Sequence, residues 1–201
     1  MIRIINCEQG TPEWFAARAG IPTASEFSTV MAKGKGGGES VTRRKYMLTL
    51  LGERMTGECV ESYGNAHMER GKVMEQEARD LYQFRTDAEL NQVGFIRHDL
   101  FQAGASPDSL IGDEGGLEIK TKLPHLQLEL LLSNELPSEH KAQVQGQMWV
   151  SGRKWVDFVS YWPKLPLFVT RVERDDSYIA QLADAVATFN AELNELHKRF
   201  A

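Results

Sequence analysis

The stretch Gly104-Ala-Ser-Pro-Asp-Ser-Leu-Ile-Gly-Asp-Glu-Gly-Gly-Leu-Glu-Ile-Lys120 constrains this chain more than any other. An apolar run, Phe101 to Ala105, leads into Ser106-Pro107-Asp108. Leu110-Ile111 follows, then the turn-rich Gly112-Asp113-Glu114-Gly115-Gly116, then Leu117-Glu118-Ile119-Lys120, which alternates apolar and charged. Glycine tolerates positive φ, so a Gly/Asp cluster between two β-prone runs reads as a hairpin. Alternation puts Glu118 and Lys120 on one strand face and Leu117 and Ile119 on the other. The hairpin folds Asp108 back beside Glu118. Two carboxylates and an ammonium then surround one point on rigid backbone.

Such a trio has a specific chemical use. Two hard oxygen donors on adjacent strands hold Mg²⁺, which keeps its other positions for water and phosphate oxygens. The metal polarises a phosphoryl oxygen and acidifies bound water. A neighbouring lysine orients or deprotonates that water and offsets developing charge. Residue types alone leave a competing reading open: a solvated acidic turn with surface ion pairs.

Length and composition narrow the classes. The chain has 201 residues, enough for one domain over 1–201 with a sizeable core. It is 42% hydrophobic and 25% charged, which argues against wholesale disorder. A net charge of −5 argues against nonspecific coating of nucleic acid but leaves room for a local basic groove. Cys7 and Cys59 form no CxxC, so neither a disulfide framework nor a zinc site is implied, and a reducing cytoplasm is the expected setting. No apolar run approaches membrane length, and the opening residues are too short for a signal sequence.

Taken in order, residues 1–6 read as a short strand. Thr11-Pro12-Glu13 caps and opens a helix through Arg18, with Trp14 and Phe15 on its buried face. Thr23 and Glu26 have capping-box spacing for a second short helix. Arg18 and Ser25 thus flank one interhelical turn, where a guanidinium, a hydroxyl and free amides make an anion pocket; a surface arginine beside an ordinary cap is the alternative. Lys33-Gly-Lys-Gly-Gly-Gly38 is a flexible loop without the GxxxxGK[ST] pattern. A helix from Ser40 or Thr42 to Met55 follows, stopped by Gly57. Lys33, Lys35, Arg43, Arg44, Lys45 and Arg54 make this the most basic region, fit for phosphate contacts or for a solvated face.

Residues 66 to 85 form another helix with Val73, Met74, Ala78, Leu81 and Tyr82 as its core stripe. Glu75 lies one turn from Arg79 and can pair with it. Strands are expected at 92–97 and 101–106. Helices are expected from about 122 to 134 and from 138 to 150, the second containing His140, Gln143, Gln145 and Gln147. Segments 154–162 and 167–173 pair as antiparallel strands, and 175–200 is an amphipathic terminal helix.

Read together, the motifs resemble those of the lambda exonuclease family within the PD-(D/E)xK nuclease superfamily. Arg18-x-Gly-Ile-x-Thr-Ala-Ser25 matches the family's N-terminal motif. Gly71-Lys-x-x-Glu75-x-x-Ala-Arg79 matches the helix with its first acid. Ser106-Pro-Asp108 and Leu117-Glu-x-Lys120 match the metal-binding core, and Ala142-Gln-Val-Gln145-x-x-Met-Trp-Val150 the helix after it. Five motifs in family order, spread over nearly the whole chain, are more specific than any one.

The resemblance implies an α/β (α+β) restriction-endonuclease-like core, with a mixed sheet of about five strands flanked by helices. It implies that Asp108, Glu118 and the main-chain oxygen of Ile119 ligate Mg²⁺, two ions in all, with Mn²⁺ also suited. Glu75 then sits beside the metals, Lys120 positions the attacking water, and Gln145 supports the site. Arg18, Ser25 and Ser106 form a pocket for a terminal 5′-phosphate. Met68 stands where the family carries an apolar wedge that separates strands. The implied activity is Mg²⁺-dependent 5′-to-3′ digestion of linear double-stranded DNA to mononucleotides, leaving 3′ overhangs for single-strand-annealing recombination. The implied setting is a homotrimer working with a single-strand annealing protein in the cytoplasm of a bacterial or phage-infected cell. One departure stands out. Thr121-Lys-Leu-Pro-His-Leu-Gln lacks the family's additional arginine for the 5′-phosphate, which leaves Lys122, His125 or the Arg43-Arg44-Lys45 run as substitutes. Other outcomes are a nuclease of different specificity, either a single-strand exonuclease or an endonuclease, and a non-catalytic DNA-end-binding module.

Overall fold

Local punctuation fixes most element ends. The computed structural model describes residues 1–59 and 66–200, the side chains at 35 and 66–69 excepted. In chain order the elements are β1 (Ile2–Ile5), α1 (Pro12–Arg18), α2 (Phe27–Met31), α3 (Val41–Thr56), α4 (Ala66–Thr86), β2 (Leu90–Asn91), β3 (Phe95–His98), β4 (Ala103–Ala105), β5 (Ser109–Ile111), β6 (Gly115–Thr121), α5 (Pro124–Ser133), α6 (Ser138–Ser151), β7 (Trp155–Tyr161), β8 (Phe168–Glu173) and α7 (Asp176–Lys198). The Thr11 hydroxyl accepts from the Trp14 amide, and Ser40 accepts from the Arg43 amide, capping α1 and α3. Asp175 caps α7 through the Tyr178 amide at 2.9 Å. Thr23 makes no cap bond, so the expected capping box does not form; a single turn, Ala24–Glu26, precedes α2 instead.

Five strands form one mixed sheet in the order β2-β5-β6-β7-β8. Every neighbouring pair is antiparallel except β6 and β7, which run parallel and are joined through α5 and α6. β1, β3 and β4 pair into a separate antiparallel sheet. The mixed sheet with flanking helices is the expected class; the division into two sheets is a refinement that strand patterning did not give.

β6 carries the alternation that the sequence shows. Leu117 and Ile119 are buried with Met74, Ala78 and Tyr82 of α4 on one face. On the other face, Leu130 of α5 and Val144 and Met148 of α6 pack with Val156, Phe158 and Phe168. Burying each such side chain contributes roughly 1.5–3 kcal/mol. Val73 and Leu81 of α4, assigned above to the core stripe, are instead 62% and 44% exposed. The α4 surface that meets the sheet is narrower than the apolar pattern, and only Met74, Ala78 and Tyr82 reach it.

A third cluster joins α2, α3, α6 and α7 beneath β3 and β4. Here α6 approaches the Ala24–Glu26 turn very closely. A Cβ at Gly146 would lie 2.3 Å from Phe27 Cδ2, so only glycine admits this contact. Among the described residues no helix is long and apolar enough to cross a membrane.

Candidate active site

The hairpin turns at Gly112, whose φ is 49°. Ser109 then pairs with Leu117, and the Asp108 amide donates to the Leu117 carbonyl at 3.1 Å. The Ile119 amide in turn donates to Asp108 Oδ2 at 2.5 Å. Backbone pairing therefore aims the Asp108 carboxylate at the Glu118–Lys120 face. Lys120 Nζ lies 2.6 Å from Glu118 Oε1, and Glu118 is 3% exposed. Asp108, Glu118 and Lys120 thus converge as the sequence implies.

Electrostatics mark this as a crowded acidic site. Burial, then the Glu118 and Glu75 charges, hold the Asp108 carboxyl well above its ordinary range, against the Ile119 amide and Lys120. Burial draws the Lys120 pKa down, but Glu118, Asp108 and Glu75 more than offset it, so Lys120 is held as an ammonium. Glu75 reaches this field from α4 while paired with Arg79 at 2.7 Å. Arg79 Nη2 also donates to the Asp108 carbonyl at 3.5 Å.

Two glutamines on one face of α6 complete the grip on Glu118. Gln143 Nε2 donates to Oε1 and Gln147 Nε2 to Oε2, each at 2.5 Å. Gln145, the glutamine assigned to the site above, faces elsewhere. Its nitrogen donates to the Glu173 carbonyl at 2.8 Å, and its oxygen accepts from the Asp175 amide at 2.9 Å. The reason is helical geometry: positions 143 and 147 lie one turn apart on one face, while 145 points nearly opposite. That periodicity was the available signal for preferring Gln143 and Gln147.

A cavity of about 220 Å³ adjoins these groups, lined among others by Asp108, Glu118, Lys120, Arg18, Ser25 and Ser106. All three residues of the expected anion pocket therefore border the same space as the acids. The Arg18 guanidinium lies 4.2 Å from the Trp14 ring centroid, and its Nη2 donates to Thr23 Oγ1 at 3.4 Å. Thr23 and Ser25 share a hydroxyl contact of 3.2 Å, and Trp14 Nε1 donates to Ser106 Oγ at 2.8 Å. Trp14 and Gln9 are lining residues outside the matched motifs, and Thr23 is a motif position to which no site role was given.

The substitutes considered for the missing arginine do not line this cavity. Lys122 pairs with Glu139 at 3.1 Å, and His125 is exposed. Arg43 is held by Glu192 at 2.7 Å, Arg44 contacts Glu39 at 3.4 Å, and Arg54 donates to the Gly20 carbonyl at 2.6 Å. Much of the basic stretch on α3 is thus engaged within the fold. The side chain of Met68 lies outside the described residues.

Among the described residues, no three His, Cys, Asp or Glu side chains gather as a ready metal site. The donor set nevertheless fits a hard cation. It offers oxygens only, and burial together with the Glu118 and Glu75 charges raises the Asp108 carboxyl, a cost that a divalent ion beside it would relieve.

The profile of the YqaJ-like viral recombinase domain matches residues 13–154, well over half of the chain. The chain belongs to the YqaJ-like viral recombinase family. This YqaJ-like chain is similar to LHK-Exo, an alkaline exonuclease from Laribacter hongkongensis, at 39% identity and a TM-score of 0.85 over 94% of this chain and 96% of that one. A structure of LHK-Exo in complex with dAMP matches over the same shares with a TM-score of 0.86. A phage-related exonuclease from Haemophilus somnus 129PT shares the fold, with a TM-score of 0.67 at 14% identity over 90% and 96% of the two chains. No curated protein matches the chain significantly. The YqaJ-like domain thus falls within the lambda exonuclease group that its motifs resemble, and the matches support a nuclease role in recombination.

Proposed function

We propose that the chain is a Mg²⁺-dependent exonuclease that digests linear double-stranded DNA from its 5′ ends, releasing 5′-mononucleotides and leaving 3′ overhangs. The observation that carries this reading is the shared cavity. Asp108, Glu118 and Lys120 line it together with Arg18, Thr23, Ser25 and Ser106. A guanidinium with adjacent hydroxyls suits a terminal phosphate dianion. A strand end anchored there would present its first phosphodiester to the acids, which is the geometry of an exonuclease rather than of an enzyme that cuts within a strand. The dAMP bound by LHK-Exo is a 5′-mononucleotide, the product class this reading requires.

Asp108, Glu118 and the main-chain oxygen of Ile119 would hold the metal, with Glu75 beside it. When bound, Mg²⁺ polarises the phosphoryl oxygen and acidifies a coordinated water. Lys120, as an ammonium, donates to that water or to the phosphate and lowers the cost of the charge that builds there. Gln143 keeps Glu118 oriented. Trp14 backs the Arg18 guanidinium and orients the Ser106 hydroxyl. Water oxygen attacks phosphorus, the 3′ oxygen leaves, and the cut nucleotide keeps its 5′-phosphate.

This reading includes a homotrimer and an annealing partner that receives the exposed strand. Its support is the family's recombinase designation. The test is digestion of linear duplex labelled at either end, carrying 5′-phosphate or 5′-hydroxyl, with and without Mg²⁺. Release of labelled mononucleotide from the 5′ end alone, only with the metal and faster with the phosphate, is expected. Release from 3′ ends, or internal cutting of circular DNA, would overturn the reading.

A further inference from the structure

Gln147 has a role that the motifs leave unassigned. It is 2% exposed and borders the cavity. Its nitrogen is committed to Glu118 Oε2, which as a carboxylate oxygen accepts only and so fixes the amide orientation. Its carbonyl Oε1 is buried and has no donor among the described residues. A buried acceptor without a partner is costly, and native structures retain such a group where something supplies the missing donor. Two neighbouring features limit what that donor is. Gly146 presses α6 against the Ala24–Glu26 turn, so no further side chain fits between them. Arg18, Thr23 and Ser25, which line the same cavity, bond to one another and not to this carbonyl.

We propose that Gln147 is a positioning residue of the hydrolytic site: its amide nitrogen fixes the Glu118 carboxylate while its carbonyl accepts a hydrogen bond from a cavity water, holding that water beside Glu118. This inference rests on the nuclease reading and deepens it. Gln143 and Gln147 then have separate tasks. Both brace Glu118, but Gln147 also adds a buried acceptor that has no partner among the described residues.

The test compares the full chain with Gln147→Met, which keeps the length but has neither donor nor amide acceptor, and Gln147→Asn, which keeps the amide but falls one methylene short. Two readouts are taken. One is the rate of nucleotide release from 5′-phosphorylated duplex as a function of DNA and Mg²⁺. The other is the rise in Tm that Ca²⁺ produces in the protein without DNA. Both variants are expected to lose about ten- to a hundredfold in kcat, with KM for DNA ends changed less than about twofold. Their melting without cation is expected to match or exceed that of the parent, while the Ca²⁺ concentration giving half the Tm rise increases about tenfold. Parental kcat and parental Ca²⁺ response in both variants would overturn the inference, as would a loss confined to KM. If one variant does not melt cooperatively, the other decides. If the parent releases no nucleotide, the nuclease reading fails, and the Ca²⁺ response alone judges Gln147.

Discussion

The amide of Ile119 donates to Asp108 Oδ2 across the hairpin at 2.5 Å, so the backbone of one strand holds the acid that begins the other. Asp108 is kept in place although burial, Glu118 and Glu75 all disfavour its charge. That combination of fixed position and unfavourable ionisation is typical of a site built for a ligand rather than for stability.

Asp108→Asn is therefore expected to abolish hydrolysis and yet stabilise the cation-free fold. The asparagine oxygen still accepts from Ile119, and the repulsion disappears. Because the folded carboxyl titrates above its unfolded range, its protonated form is stabilising at low pH, and that contribution is lost as pH rises through the folded pKa. The gain in the variant should thus be largest at neutral pH and vanish in acid. A rise in Tm of roughly 2–4 °C is expected, the response to about 1 kcal/mol in a chain of this size. A lower Tm at pH 7, or retained activity, would count against the assignment.

Lys120→Met should lower kcat by roughly a hundredfold or more without weakening DNA binding measured in Ca²⁺. The ammonium is already paired with Glu118, so the variant also leaves that carboxylate with only the two glutamine donors. Unchanged turnover would show that another group handles the water.

Arg18→Ala should slow digestion of 5′-phosphorylated ends and leave 5′-hydroxyl ends nearly unaffected. Its guanidinium rests on Trp14 and borders the cavity, with Thr23 as its one side-chain hydrogen-bond acceptor among the described residues. Equal losses on both substrates, measured side by side, would remove the phosphate pocket from the account.

Gln145→Leu should behave as a structural change. It breaks the bonds to Glu173 and Asp175 that tie α6 to the β8–α7 connection, leaving a part-buried amide and carbonyl without these partners. About 1–3 kcal/mol of stability is at stake. Thermal melts should register it, while kcat at low temperature stays near that of the parent.

His140 gives a pH signature outside the acids. Burial, then Lys122 and Lys120, lower its pKa from 6.5 to about 4, with Glu139 opposing. The unfolded chain binds this proton more tightly than the folded one. Stability should fall as pH drops below about 6.5 and continue falling to about 4. The difference in Tm between the parent and His140→Phe, followed from pH 7 to 4, should track that window; a constant difference would rule it out.

Much of this site was legible because its information is local. Gly112 sets the hairpin, alternation separates Glu118 from Leu117, and proline, serine and glycine mark the helix ends. Elements such as α3, α6 and α7 were therefore readable from pattern. The rest depended on tertiary partners. Val73 and Leu81 carry apolar side chains at helical spacing, yet the sheet is too narrow to cover them. Periodicity groups Gln143 with Gln147 and sets Gln145 apart, but only the rotation of α6 against β6 decides which face meets Glu118. The parallel pairing of β6 with β7 is likewise set by two intervening helices rather than by the strands themselves.

The contact of Gly146 with Phe27 has a mechanical consequence. It clamps the helix bracing Glu118 onto the turn that carries the Thr23 and Ser25 hydroxyls, main chain against ring. On the proposed reading, the fragment removed at each cut is gauged like stock against the stop of a saw: the frame sets the spacing of the two elements, and the side chains they carry do the gripping.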